Sequence, residues 1–255
     1  MNDENQIMKP AEETGGGSYW TGIYRVFYEP SKFFKGLTSK KAWLVPLIIV
    51  AVVGGLLGHF TRPLFVKDMY PVWQERIESA RQYMTEQQYN ETKARMEQAY
   101  REAEKNPFKW YYPLLALAFP LVVFMIIAGI GILAGNVMFR GKASFWIVVD
   151  VVAFAALVGL LGDVVRGLLM LSKGTMMVYT GLGILKPVDN GSLLFYLFRQ
   201  VDIFSVWRII VTAVGLGAVY QMKPGKFAAI LFPLWFIFIV LVAVANLFTG
   251  GSIVY

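Results

Sequence analysis

Long apolar runs alternate with short basic turns along most of this chain, and the pattern predicts a bundle of membrane-spanning helices. About 20 apolar residues are enough for a helix to cross a bilayer. Five runs approach or exceed that length. We predict five spans, at residues 43–60, 113–139, 145–171, 203–221 and 227–248.

One polar segment, residues 61–112, interrupts the apolar pattern between the first span and the second. Apolar residues within residues 73–84 recur at helical spacing. Thr85 followed by Gln88 matches a capping box, which marks the start of a second helix. We therefore predict a helical hairpin here, with one continuous helix as the alternative.

Three further segments lie outside the spans. Residues 1–18 lack an apolar core and predict a disordered tail. Residues 19–42 interleave aromatic residues with lysines and arginines, which favours an amphipathic segment in the headgroup region, divided in two by Pro30. An ordinary basic flank that orients the first span is the alternative. Residues 172–202 are broken by glycines and predict an interfacial linker that ends in a short helix.

The charge content supports a membrane protein and orients it. Charged residues make up 16% of the chain, whereas soluble domains average about 25%. The net charge of +7 comes mainly from basic residues that flank the apolar runs, so it indicates orientation and not nucleic-acid binding. The positive-inside rule places the amino terminus in the cytoplasm. With five spans, the hairpin and the carboxyl terminus then lie outside.

The sequence contains no recognisable catalytic or cofactor motif. It has no cysteine and one histidine, His59, so thiol chemistry is excluded and an intramembrane zinc site lacks ligands. Phosphate-binding loops and hydrolase motifs are also missing from the sequence. We predict a protein that is not an enzyme and that has no catalytic residue, cofactor or metal.

Two stretches resemble a known family. VDIFSVWRIIVTAVGLGAVY at residues 201–220, followed by KPGKFAAI, resembles the fourth span and turn of the bacterial branch of the Yip1-domain family. FYEPSKFFKGL and AWLVPLII resemble that family's approach to its first span. The likeness covers residues 20–248 and implies a five-span protein of the bacterial cytoplasmic (inner) membrane.

Eukaryotic members of that family are associated with vesicle trafficking, membrane shaping and Rab-type GTPase partners. They carry an acidic-Tyr-Gly-Pro signature ahead of span one. Here Tyr28-Glu29-Pro30 stands in its place, and this departure argues against a GTPase partner.

Three ionisable residues within the predicted spans form a candidate polar cluster, Asp163, Arg166 and Arg208. Such a group costs about 2.5–3.5 kcal/mol in hydrocarbon, so it normally faces a partner or a watery cavity. Asp163 and Arg166 lie about 60° apart on one helix face. Asp163 and Arg208 lie at matching depth, roughly 8 and 7 Å beyond the midplane. We predict that they pair, either as a structural ion pair or within a polar pathway or lipid-headgroup site.

Asp150 belongs to the same span but is predicted on nearly the opposite face. It lies close to the cytoplasmic end, where water or Arg140 is expected to reach it. We therefore expect its removal to cost less stability than removal of Asp163.

These observations leave two classes of function. The first is a non-catalytic membrane-organising or partner-binding protein. The second is a small transporter or lipid-handling protein that uses the cluster of Asp163, Arg166 and Arg208. Expected partners are membrane lipids, and a second copy or another protein bound through the hairpin or through small-residue faces such as Gly54/Gly58. Nucleic acid is not expected.

Overall fold

A computed structural model describes residues 19–37, 41–105, 109–185 and 192–249. The predicted tail at residues 1–18 lies outside the described residues. Within the described ranges the chain is helical and contains no strand. The helices are α1 Tyr19–Tyr28, α2 Pro30–Lys35, α3 Leu44–Ala80, α4 Glu86–Lys105, α5 Tyr112–Ile132, α6 Phe145–Lys173, α7 Leu193–Gln200, α8 Ile203–Val219 and α9 Pro224–Thr249. A π-helix, Leu133–Met138, extends α5, and 3₁₀ turns stand at Arg81–Tyr83 and Leu182–Leu185.

Four to five of these helices are long and apolar enough to cross a membrane. Four of them each meet this condition as a single helix: α3, α5, α6 and α9. A fifth candidate span is the pair α7 and α8, which is bent by 55° at a short break. The predicted all-α class with several apolar spans is therefore confirmed. The side of the membrane on which each end lies stays a prediction.

Helix α6 forms the centre of the bundle. It packs against α3, α5 and α8, and α1 covers part of it. Its most apolar stretch is 67% buried inside the protein, against at most 22% for the other three single-helix spans. An apolar helix enclosed by neighbours forms the core of a bundle, whereas the less buried helices keep apolar faces exposed.

Small residues allow close helix packing at some of the predicted faces but not at all of them. Gly131 lies against Val148 of α6, and Gly135 lies against the Tyr220 ring, with no space for a Cβ atom at either position. Gly54 and Gly58 have nothing within 4 Å of where a Cβ would lie. Their predicted packing face is therefore not used within the described part of the chain.

The amino-terminal segment is divided at Pro30, as predicted, because proline is favoured in the first turn of α2. Val26 and Phe34 are fully buried, and the Phe33 ring packs edge-on against Phe154 of α6 at 4.7 Å. Tyr24 is 69% exposed on the opposite side. The segment therefore contributes one face to the protein core and leaves aromatic and basic side chains on the other.

The helix that contains the predicted first span does not end at residue 60. Helix α3 is 37 residues long and reaches Ala80, with Pro63 and Pro71 inside it. Proline removes a single backbone hydrogen bond and can kink a helix without ending it, provided that packing supplies support. Here the buried side chains Val66 and Met69 supply that support beyond the first proline.

Helix α4 folds back against this extension of α3, and we call residues 61–105 the helical arm. The Tyr70 and Tyr100 rings lie 4.3 Å apart. The predicted capping box is present: the Thr85 N–H donates to Gln88 Oε1 at 2.9 Å, and the Gln88 N–H donates to Thr85 Oγ1 at 3.2 Å. A sharp turn therefore separates two helices, and the extracytoplasmic position of the arm stays a prediction.

Candidate functional site

The structure brings the predicted polar cluster together but pairs its members differently. Arg166 binds Asp202 at 3.4 Å, and Asp163 and Arg208 form no direct ion pair with each other. Arg208 lies instead over Gly159, one turn from Asp163, where a Cβ would stand 3.1 Å from its Cδ atom. The predicted direct contact between Asp163 and Arg208 is therefore wrong, although both residues belong to one charged neighbourhood.

Asp163 is exposed on the surface of α6. The charges of Arg166, Arg208 and Asp202 all act on it. It makes no hydrogen bond or ion pair with any residue in the described ranges. Asp163 is therefore an exposed carboxylate whose charge is balanced by neighbouring charges without direct contact.

Asp202 is the member of the cluster that the sequence analysis missed. It is the N-cap of α8, and its Oδ1 accepts the N–H groups of Phe204 at 2.8 Å and Ser205 at 3.0 Å. Its Oδ2 accepts the Ser205 hydroxyl at 2.6 Å and one nitrogen of Arg166. An aspartate directly before an apolar run is an N-cap signal, so this role was readable from the sequence.

Asp150 occupies a different environment from the one predicted. It is fully buried, with 0% of its surface exposed, and its Oδ1 accepts the Trp43 N–H at 2.7 Å. Its other oxygen has no hydrogen-bond partner among the described residues. Trp43 is the residue before the first turn of α3, where backbone N–H groups lack helical partners and the helix dipole favours negative charge. The predicted access to water or Arg140 is therefore wrong, because Asp150 caps the first span instead.

A cavity of about 780 Å³ opens beside Arg166. The extension of α3, the end of α6, the segment after α6 and helix α7 enclose it. The described residues that line it include several methionine and aromatic side chains and three arginines. The apolar group includes Phe65, Met69, Met170, Met176, Met177, Tyr179 and Phe195, and the cationic group is Arg76, Arg166 and Arg199.

Two polar contacts fix the segment that closes this cavity. Gly174 ends α6 in the left-handed conformation, with φ of 64°, which glycine adopts without strain. Asp68 of α3 then accepts the Thr175 hydroxyl at 2.7 Å and the Met176 N–H at 2.6 Å. The extension of α3 beyond the predicted first span is therefore what holds one wall of the cavity in place.

The described residues that line the cavity carry charges of both signs. They include three arginines and the carboxylates of Asp68 and Glu75, and Arg166 is also paired with Asp202. Burial raises the pKa of the Tyr179 hydroxyl, which therefore stays protonated at neutral pH and can donate a hydrogen bond. The wall thus combines hydrogen-bond donors and cations with an apolar surface, and such a surface suits an amphiphilic ligand.

The part of the chain that the structure describes contains no group of three or more His, Asp or Glu side chains able to hold a metal ion. No protein-family model, curated protein or solved structure matches this chain. The fold and the cavity therefore define the class: a helical protein with four to five candidate spans and an amphiphilic cavity at one end of its central helix. The resemblance to the Yip1-domain family stays a prediction.

Proposed function

We propose that this chain is a non-catalytic, multi-pass membrane protein that binds a membrane lipid in the cavity beside Arg166. The observation that carries the proposal is the composition of that cavity. Its volume of about 780 Å³ falls within the range of about 300–1,000 Å³ that is common for ligand sites. Its wall offers both cations for a headgroup and apolar side chains for an acyl chain.

The position of the cavity also fits a lipid. Arg166 and Met170 lie one turn apart near the carboxyl end of α6, where a spanning helix approaches the headgroup region. Methionine side chains are flexible and adapt to ligands of irregular shape, as an acyl chain requires. Lipid handling was the second of the two classes that the sequence left open, and the cavity now favours it.

Membrane organisation is the other candidate, and the amino-terminal segment supports it. Tyr24 and Tyr28 are 69% and 67% exposed, and Arg25 and Lys35 are exposed on the same short helices. Exposed aromatic and basic side chains suit contact with an anionic membrane surface. The lipid-content experiment described next separates the two candidates.

Filling the cavity is expected to remove its lipid. Met170 lines the cavity and is 5% exposed, so Met170→Trp places a larger ring in the ligand volume. We expect the purified variant to retain less than about half of the tightly bound lipid of the parent chain, since a filled cavity excludes its ligand. Quantitative mass spectrometry of lipids extracted after extensive detergent exchange measures this.

Leu168→Trp is the matched control, because Leu168 belongs to the same helix but is 59% exposed and does not line the cavity. It should leave the lipid content unchanged. Equal lipid content in the parent chain and both variants would contradict lipid binding in the cavity and favour membrane organisation.

We also propose the bacterial cytoplasmic membrane as the location, with the amino terminus inside and the helical arm outside. The basic turn that contains Lys142 supports this orientation through the positive-inside rule. Because the chain has no cysteine, single cysteines can report it. Asn90→Cys should react with a membrane-impermeant maleimide in intact spheroplasts, and Lys142→Cys only after lysis. The reverse pattern would overturn the orientation.

A further inference from the structure

We infer that two copies of this chain associate through Asp163 and Arg208, with Asp163 of each copy paired to Arg208 of the other. The inference goes beyond the proposed lipid binding and rests only on the proposed membrane location. Asp163 is exposed on α6, and Arg208 is half-buried on α8. Among the described residues, neither side chain has a hydrogen bond or an ion pair. Within the described part of one copy, both charges therefore lack a direct partner.

The two charges lie near the middle of the central helix. Gly159 is the central residue of α6, Phe145–Lys173. The Arg208 side chain lies over it, with Cδ 3.1 Å and Nη1 3.3 Å from where a Gly159 Cβ would stand. Asp163 follows one turn later, roughly 6 Å along the helix axis. The hydrocarbon core extends about 15 Å to each side of its centre, so an α6 centred in the bilayer places both charges within it.

Acyl chains are a poor covering for such a surface. An ionisable group at this depth normally faces a partner or a watery cavity, because hydrocarbon does not solvate its charge. Arg166 does not neutralise Asp163 by direct contact, since it is paired with Asp202 at 3.4 Å. The charge of Arg208 acts on Asp163, but without contact. We therefore expect a covering surface that offers both a cation and an anion over this part of α6 and α8.

A second copy offers both charges in the required positions. Gly159 and Asp163 point about 40° apart on α6, and Arg208 lies over Gly159, so the opposite charges are neighbours on one face. Identical chains inserted by the positive-inside rule share one orientation, so the twofold axis between them runs along the membrane normal. This axis sets α6 of one copy opposite α8 of the other. Each carboxylate then faces a guanidinium, and two identical pairs form.

The surrounding side chains permit this approach. Ala156 points within about 20° of Asp163 on α6 and is half-buried. Small residues such as Ala156 and Gly159 let helices come close together in a membrane. Arg208 has several rotatable bonds, so its guanidinium can move from Gly159 to a carboxylate across the interface. Water also solvates charges, but it does not require unlike charges side by side, whereas a twofold interface does.

Reversal of either charge is expected to weaken the association. We expect Asp163→Arg and Arg208→Asp each to dimerise at least about tenfold more weakly than the parent chain, because two pairs of like charges then face each other across the axis. Tenfold corresponds to about 1.4 kcal/mol. The measurement is Förster energy transfer in lipid vesicles at varied protein-to-lipid ratio. All chains carry the label on Asn90→Cys, an exposed position of the helical arm.

An equal mixture of the two variants separates pairing between copies from effects within one copy. Each variant keeps the same charges within its own chain, whether it is alone or mixed. In the mixed dimer, however, Arg at position 163 faces Asp at position 208, and Asp163 of the other chain faces Arg208. We therefore expect the mixture to associate to within about threefold of the parent chain. A mixture that associates no better than either variant alone would overturn the inference.

Cross-linking gives a second measurement that needs no reversed charge. Asp163→Cys mixed with Arg208→Cys should form a covalent dimer with a short bis-maleimide reagent, since the chain has no other cysteine. Leu168→Cys mixed with Arg208→Cys is the matched control. Leu168 belongs to the same helix and is 59% exposed, but it points about 140° away from Asp163. Equal cross-linking from Leu168→Cys and Asp163→Cys would contradict the assigned face.

A parent chain that stays monomeric in lipid vesicles, with Asp163→Cys open to a charged thiol reagent, would overturn the dimer and show that water covers this face. That result would leave the cavity untouched. The lipid content of Met170→Trp tests the proposed lipid binding by itself, so failure of one proposal is distinguishable from failure of the other.

Discussion

Asp150→Ala is expected to lower the free energy of unfolding by about 1–3 kcal/mol, and Asp163→Ala by less. Asp150 is fully buried and accepts the Trp43 N–H at 2.7 Å, so alanine leaves a partly buried donor without its acceptor. Asp163 is exposed and has no direct hydrogen-bond or ion-pair partner among the described residues. Unfolding by a denaturing detergent, followed by circular dichroism, measures both changes.

Asp150→Asn is the matched control for this comparison. Asparagine keeps an oxygen where Oδ1 accepts the Trp43 N–H, so we expect a much smaller change than for alanine. A larger loss for Asp163→Ala than for Asp150→Ala would contradict the role of Asp150 as the cap of α3. The charge pattern of the sequence alone predicted that reverse order, because it placed Asp150 near water.

The features that could be predicted from the sequence depend on neighbouring residues. Pro30 divides the amino-terminal segment because its ring suits the first turn of a helix. Ser144 caps α6, and Thr85 begins the turn into α4, through bonds to residues three positions away. The apolar runs predicted the spanning helices for the same reason, because the length and hydropathy of a run are local properties.

The features that the sequence did not reveal depend on contacts between distant segments. Asp68 holds Thr175 across 107 positions, and Arg166 pairs with Asp202 across 36. No local periodicity encodes such partners. The sequence indicates Arg166 as a candidate site residue, but it does not reveal the cavity that α3 completes beside it.

The continuation of α3 beyond residue 60 has the same cause. The polar composition of residues 61–112 predicted an end to the first span at residue 60, and composition is a local signal. Packing of Val66 and Met69, with the bonds of Asp68, stabilises the extension instead. Tertiary contacts thus override a local signal at the very segment that forms a cavity wall.

Gly215→Ala is expected to destabilise the protein by about 1–3 kcal/mol, although alanine is the better helix former. Gly215 lies in α8, where a Cβ would stand 2.5 Å from Cγ1 of Val151 and 3.0 Å from the Phe34 ring. Val151 is β-branched and lies in the buried core helix, so its side chain has little freedom to move away. Phe34 is 1% exposed, so its ring is confined as well. The added methyl group must therefore push α8 away from α6, or push α2 away from both α6 and α8.

Gly54→Ala provides the matched control, since it makes the same change within α3, where nothing lies within 4 Å of the added atom. There only the higher helix propensity of alanine acts, and we expect the free energy of unfolding to rise by up to about 1 kcal/mol. The opposite signs of the two changes in stability separate packing from helix propensity, and the same detergent-unfolding measurement determines both.

Because Phe34 belongs to α2, Gly215→Ala should also make the α1–α2 segment easier to cleave with trypsin after Lys32 and Lys35. A gain in stability at both glycines would show that the amino-terminal segment is not docked against α8, and that it acts at the membrane surface as a separate unit.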